Sequence, residues 1–327
     1  MSIINSIQAI QIIDSRGTPT VSCKVTLDNG IYATSMVPSG ASTGSREALE
    51  LRDGDSIYMG KGVSKAVSNI HEIIAPALVG MDVTNQQEID EKMIILDGTS
   101  SKSKLGANAI LGVSLAVLDA GSKTSNLPLY KYINQLFFDI TGEKTKMQIP
   151  TPMLNIINGG EHADNNIDIQ EFMIMPFGAD NFSQAMQWAT EIYSGLKNIL
   201  NAKGLNTSVG DEGGFAPNLQ SNQEAIELII QAIRNNNLTE GKDVGIALDC
   251  AASEFYNNDI YNLQGESIKL NSIEFTNYLK ELTRKYPIFS IEDGMDESDF
   301  EGWKNLTEAI GNSCQLVGDD LFVTNVV

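Results

Sequence analysis

Ile246-Ala247-Leu248-Asp249, Ile288-Phe289-Ser290-Ile291-Glu292 and Leu316-Val317-Gly318-Asp319 are short apolar runs that each stop at a carboxylate. A run of this kind reads as a strand buried on both faces of a parallel sheet. Ionised acids at several neighbouring strand ends repel one another unless a cation lies between them. The spacings are 43 and 27 residues (249 to 292, 292 to 319), and each leaves room for a helix. Phe275, Tyr278, Leu279 and Leu282 mark one such helix; Phe300, Trp303, Leu306 and Ile310, closed by Gly311, mark the other. The three strands are therefore expected to be parallel neighbours in a (β/α)8 barrel, where strand C-termini converge on one mouth. Three oxygen ligands with open positions suit Mg²⁺. A single acid after a strand can equally cap the next helix, but three in register point to a metal.

Outward from these strands, residues 3–36 read as a meander. Val21, Cys23, Val25 and Leu27 alternate with polar positions, and Asp28-Asn29-Gly30 supplies a turn before a third strand near Ile31 to Met36. Helical patterns over Val63 to Val79, Gln86 to Leu96 and Leu105 to Ser122 complete a small α+β unit. Gln148-Ile149-Pro150-Thr151-Pro152 breaks regular structure. We therefore expect an N-terminal domain over 1–140 and a partial barrel domain over 148–327. In the second, apolar stretches at Met153 to Ile157 and Ile167 to Met175 precede helices from about Phe182 to Asn201 and Ser221 to Arg234. The last opens with a capping box, Ser221 and Glu224.

Composition narrows the function classes. In 327 residues there are 42 acids against 22 bases, a formal net charge of −20, which argues against nucleic acid and anionic membranes as partners. No stretch reaches the 18 or so apolar residues of a membrane span. Cys23, Cys250 and Cys314 are too scattered for a disulfide framework or a zinc site, which fits a reducing, cytoplasmic setting. The N-terminus lacks a basic region, and Gln8, Gln11 and Asp14 interrupt its apolar residues, unlike a secretory signal.

Three loops carry further chemistry. Val209-Gly210-Asp211-Glu212-Gly213-Gly214-Phe215 lies in a polar segment too long for a plain connector. Its glycines allow positive φ and close approach of the backbone to a ligand, which makes Glu212 a candidate general acid or base. Glu171, beside Gln170 in an otherwise apolar strand-like run, is a candidate second carboxylate. Asn158-Gly159-Gly160-Glu161-His162-Ala163 is another Gly-rich turn, in which His162 is suited to acid/base work or to donating to an anionic substrate. Val37-Pro38-Ser39-Gly40-Ala41-Ser42-Thr43-Gly44 has the small residues and hydroxyls of a mobile lid that wraps a phosphate or offers oxygen to Mg²⁺.

Taken together, Asp14-Ser15-Arg16-Gly17, Ser39 to Gly44, Lys102-Ser103-Lys104-Leu105-Gly106-Ala107-Asn108-Ala109, Gln170-Glu171-Phe172-Met173, Gly210 to Gly214 and the three strand-end acids resemble the enolase (phosphopyruvate hydratase) family, in order along the whole chain. Glu161-His162-Ala163-Asp164-Asn165-Asn166 and Ser290-Ile291-Glu292-Asp293-Gly294 resemble its bacterial form. The resemblance implies Mg²⁺-dependent, reversible dehydration of 2-phosphoglycerate to phosphoenolpyruvate, a glycolytic and gluconeogenic step, with two Mg²⁺ per site. By position, Asp249, Glu292 and Asp319 match ligands of the first metal, and Ser42 matches a ligand of the second. Glu212 matches the acid that protonates the departing hydroxyl, assisted by Glu171. Gln170 and His162 match substrate contacts, in a pocket that Glu171, Glu292 and Asp319 also line. Asp320 adjoins Asp319, but Asp319 directly follows the apolar run. A homodimer or larger homo-oligomer is expected, in the cytoplasm, with the cell surface or secretion as additional locations.

The family pattern continues past Val323-Thr324-Asn325 with a lysine base, a His-Arg-Ser segment and a second lysine, none of which is in the given sequence, so impaired turnover is expected. Two other readings remain at this point. One is proton abstraction from a different carboxylate within the same metal-dependent barrel superfamily; the other is a non-catalytic truncated fragment or a binding or scaffold protein.

Overall fold

A computed structural model of the chain describes residues 2–40 and 44–325. Two compact units emerge, one from Met1–Gly40 and Arg46–Gln148, the other from Ala41–Ser45 and Ile149–Val327.

In the first unit β1 (Ile4–Ile13), β2 (Pro19–Leu27) and β3 (Tyr32–Met36) pair antiparallel in the order β1-β2-β3, as the short connections between them require. Val21, Cys23, Val25 and Leu27 all point into the core. Five helices follow: α1 (Ser64–Asn69), α2 (Ala75–Leu78), α3 (Gln86–Asp97), α4 (Ala107–Thr124) and α5 (Leu129–Thr141). The single helix expected over 63–79 is divided by a π-helical turn, Ile70–Ile74. There His71 Nε2 accepts the Ala9 backbone N–H at 2.9 Å, a link from β1 that periodicity alone does not reveal. Helix α5 was not anticipated, and Tyr132 is the one residue it buries among those described.

In the second unit β4 (Leu154–Asn158) and β5 (Glu171–Met175) form a hairpin, followed by α6 (Phe182–Ala202), α7 (Asn222–Asn235) and β6 (Gly245–Asp249). A small antiparallel sheet of β7 (Tyr256–Asn257), β8 (Ile260–Leu263) and β9 (Ile268–Leu270) comes next. The remaining elements are α8 (Ser272–Lys285), β10 (Ile288–Glu292), α9 (Phe300–Ile310) and β11 (Gln315–Val317). The main sheet has the order β11-β10-β6-β5-β4. Strands β6, β10 and β11 are parallel neighbours, as expected. The β4–β5 and β5–β6 pairs are antiparallel, a departure from a uniformly parallel barrel. The connections explain it. Only a 3-10 turn, Gly160–His162, separates β4 from β5, and a pair of α-helices separates β5 from β6, so the chain re-enters the sheet at the end it left. Among the described residues the sheet does not close on itself; β11 and β4 are its edges.

Helix caps fix where the strands begin and end. Ser221 Oγ accepts the Glu224 N–H at the start of α7 (3.2 Å), while Glu224 Oε2 accepts from Gln220, one residue earlier than a full capping box would have it. Asn271 and Glu274 make the reciprocal pair at α8. Asp299 Oδ1 accepts the Gly302 N–H at α9 (2.8 Å). Ile246, Leu248, Ile291, Phe172 and Ile174 are fully buried in the core of this unit. Phe289 is an exception to the reading of a strand buried on both faces: it is 38% exposed and packs edge-on against Phe177 at 4.8 Å.

Candidate functional site

The register of the main sheet sets the site. Asn158 pairs with Glu171, Glu171 with Asp249, Asp249 with Glu292, and Glu292 with Val317, so these five residues form one row across five strands. Because β5 runs antiparallel to β6, its first residue, Glu171, comes to the end of the sheet where β6 and β10 finish. Three carboxylates thus stand side by side in that row.

Their mutual effect is large. Burial, then the charges of Glu292 and Glu171, push Asp249 up to about 8, against an ordinary value of 3.8. Burial, then Asp293, Asp319, Glu171 and Asp320, push Glu292 up to about 7. Two donors act on Asp249: Gln170 Nε2 to Oδ2 at 3.2 Å and the Ala251 N–H to Oδ1 at 3.0 Å. Asp249, Glu292 and Asp293 each offer an oxygen such that all lie within 4.8 Å of one another. Asp319 is outside that trio and exposed, two residues past the end of β11, although its charge bears on both Glu292 and Asp293.

Beside the row, His162 is buried, with Nδ1 3.2 Å from Glu171 Oε1. That hydrogen bond raises the imidazole above its ordinary value; burial opposes it, and the charges of Glu171, Glu212 and Asp211 add to it. The loop carrying Glu212 is tied to the same place. The Asp211 N–H donates to His162 O (3.0 Å), the Gly214 N–H to Asn158 Oδ1 (2.9 Å), and the Phe215 N–H to Ile156 O (3.0 Å). The positive φ that the sequence allowed is found at Gly213 (φ +85°), while the close approach at Gly210 is to the protein itself, where a Cβ would collide with the His162 carbonyl oxygen. Glu212 stands exposed at the tip. Ser42 lies outside the described residues. Of its neighbours, Ser39 and Gly40 present their carbonyls to Arg16 Nη2, and Ser39 Oγ donates to Glu50 Oε2 at 3.1 Å.

Part-buried acids that repel one another, with a glutamine, a histidine–glutamate pair and a glycine-framed glutamate nearby, form a cluster that could hold a cation. Family models match the chain on both sides of residue 140: "Enolase, N-terminal domain" over residues 4–133 and "Enolase, C-terminal TIM barrel domain" over residues 146–327. The chain belongs to the enolase family. It therefore carries the domains of a lyase-type enzyme family, and no helix among its described residues is long and apolar enough to cross a membrane.

The donor set of this enolase-family chain fits a hard divalent cation. Only oxygens face one another, their charged forms are disfavoured without a counter-ion, and Asp293 Oδ1, Gln170 Oε1 and His162 Nε2 are buried with no hydrogen-bond partner among the described residues. Asp293 is the residue that sequence reasoning left without a role. Its Oδ2 accepts the Asp320 N–H at 3.0 Å, and the Asp319 and Leu321 N–H groups also bear on its carboxylate, so it holds the turn that carries Asp319. The available signal was its place directly after the strand-end Glu292, in a turn where it takes φ +40°.

Proposed function

We propose that this chain carries the site of a reversible, Mg²⁺-dependent dehydration of 2-phosphoglycerate to phosphoenolpyruvate, the enolase reaction of glycolysis and gluconeogenesis, in the cytoplasm and as a homo-oligomer. The observation that carries this reading is the Asp249–Glu292 pair at adjacent strand ends, held at about 8 and 7 with Gln170 and the His162–Glu171 pair alongside. In this reading Asp249, Glu292 and Asp319 hold one Mg²⁺, and Ser42 contributes to a second. Bound there, Mg²⁺ would supply the positive charge that makes the carbon proton beside the substrate carboxylate acidic.

Residues of the given sequence would take the steps other than removal of the carbon proton, which the family pattern gives to a lysine not in the given sequence. Glu212, exposed at the tip of a loop fastened to His162 and Asn158, delivers a proton to the departing hydroxyl, and Glu171 assists from the strand. His162, kept protonated over a wider pH range by Glu171, is suited to hold an anionic group of the substrate. Gln170, held against Asp249 at 3.2 Å, is placed to orient the substrate. The test is formation of phosphoenolpyruvate, followed by its absorbance, together with calorimetric binding of 2-phosphoglycerate by the 327-residue chain with and without Mg²⁺. Mg²⁺-dependent binding or turnover that Asp249→Asn removes supports the reading; a folded chain that binds 2-phosphoglycerate equally well in EDTA would overturn it.

A further inference from the structure

Helix α6 reaches the loop that carries Glu212. Tyr193, in the middle of α6, donates its phenolic hydroxyl to the carbonyl oxygen of Gly213 at 2.8 Å, and Gly213 is the residue immediately after Glu212. The ring of Tyr193 stacks on Phe215 with centroids 4.3 Å apart and planes 14° apart, and Phe215 is itself 1% exposed. The phenol is therefore aimed by a rigid stack and not by its own rotamer preference alone.

What this contact holds is specific. The loop base is fastened to the sheet by backbone bonds from Asp211, Gly214 and Phe215. Within the tip, the Gly210 N–H donates to Gly214 O (2.8 Å) and the Gly213 N–H to Gly210 O (3.1 Å), so the turn is closed on itself. Glycines on both sides leave that turn with little intrinsic stiffness. The Gly213–Gly214 peptide begins one residue after Glu212; its N–H is held by Asn158 Oδ1 at 2.9 Å, and its carbonyl is the end that the sheet leaves unheld. Tyr193 supplies that second bond and so fixes the peptide from both sides.

We propose that Tyr193 is a positioning residue for Glu212: its hydroxyl, acting with Asn158 on the other side of the Gly213–Gly214 peptide, narrows the turn so that the Glu212 carboxylate is presented in one orientation to the substrate. The inference rests on the role proposed for Glu212. It differs from a packing role, because Tyr193→Phe keeps the ring, the stack on Phe215 and the burial while deleting one hydrogen bond at a partly exposed position. A net hydrogen bond of this kind corresponds to about a three- to tenfold change in the population of the closed turn.

The experiment compares wild type, Tyr193→Phe and Glu212→Gln in the 327-residue chain. Amide exchange measured by mass spectrometry over 209–216 is expected to speed up about three- to tenfold in Tyr193→Phe, with exchange in α6 and the main sheet unchanged. Mg²⁺ affinity is expected to stay at the wild-type value, and kcat for phosphoenolpyruvate formation to fall about three- to tenfold with KM held. Where turnover is below detection, loss of the protection that 2-phosphoglycerate and Mg²⁺ confer on 209–216 replaces kcat as the readout. If Glu212→Gln leaves turnover and substrate protection at wild-type levels, the role of Glu212 fails. If Glu212→Gln lowers them while Tyr193→Phe changes neither loop exchange nor kcat, or speeds exchange with kcat and substrate protection intact, the positioning role of Tyr193 fails.

Discussion

Replacing Asp249 by Asn is expected to stabilise the metal-free protein while abolishing its response to Mg²⁺. The ordinary aspartate value is 3.8 and the folded-state value about 8. At pH 7, then, an unfolded Asp249 is ionised while the folded one retains a proton. At about 1.4 kcal/mol per pH unit, the roughly three units between 3.8 and 7 make burial of this group cost on the order of 4 kcal/mol. The sign is opposite to that of an ion-paired aspartate: the penalty is absent below the unfolded value and grows as pH rises toward the folded one. Asn removes the penalty but has a single side-chain oxygen, so it forfeits the bond from Gln170 or from Ala251, about 1 kcal/mol. The net expectation is a gain of roughly 3 kcal/mol at pH 7 that vanishes near pH 4. Mg²⁺ at a hundred times its Kd should add about 2.7 kcal/mol to the wild type and nothing to the variant. Urea denaturation followed by tryptophan fluorescence reads the second unit alone, because both tryptophans, Trp188 and Trp303, belong to it. A variant no more stable than wild type in EDTA at pH 7, or one that still responds to Mg²⁺, would refute the reasoning.

Two further outcomes follow from the same geometry. Glu171→Gln should move the NMR titration of His162 to lower pH, since the hydrogen bond to Glu171 is the main cause of its elevation; stability should then fall at acid pH, where His162 is charged, and not at pH 9, so an unmoved titration would count against the pair. Gly210→Ala should cost about 1–3 kcal/mol by forcing a methyl against the His162 carbonyl, visible as a lower urea midpoint for the second unit, and an unchanged midpoint would mean that the loop is not fastened as described.

The meander and the parallel run of β6, β10 and β11 were legible because their residues alternate or cluster with a period that local sterics impose on any strand. The antiparallel entry of β5 was not, since strand direction is decided by what lies between strands and not by the strand's own residues. Helix α5 lies outside the helical patterns drawn from the sequence although Leu129, Tyr132, Ile133, Leu136, Phe137 and Ile140 fall at helical spacing; in the structure only Tyr132 of this helix is buried among the described residues. Within the site, Asp249 and Glu292 were legible as acids at the ends of apolar runs and Glu171 as an acid inside one, and the row they share follows from register. Asp293 and Tyr193 were not. Asp293 acts through backbone N–H groups 26–28 residues downstream (293 to 319–321), and Tyr193 acts through a carbonyl 20 residues away, contacts with no local periodicity to betray them.

The central claim is that Asp249 and Glu292 form one cation site whose carboxylates are partly protonated when no cation is bound. Calorimetric titration of Mg²⁺ in buffers of different ionisation enthalpy tests it directly, because a ligand that must shed its proton releases that proton to the buffer. With Asp249 at about 8 and Glu292 at about 7, binding at pH 7 should release between one and two protons per Mg²⁺, falling toward zero by pH 9. Binding with no proton release at pH 7, or release that persists unchanged in Asp249→Asn, would contradict it.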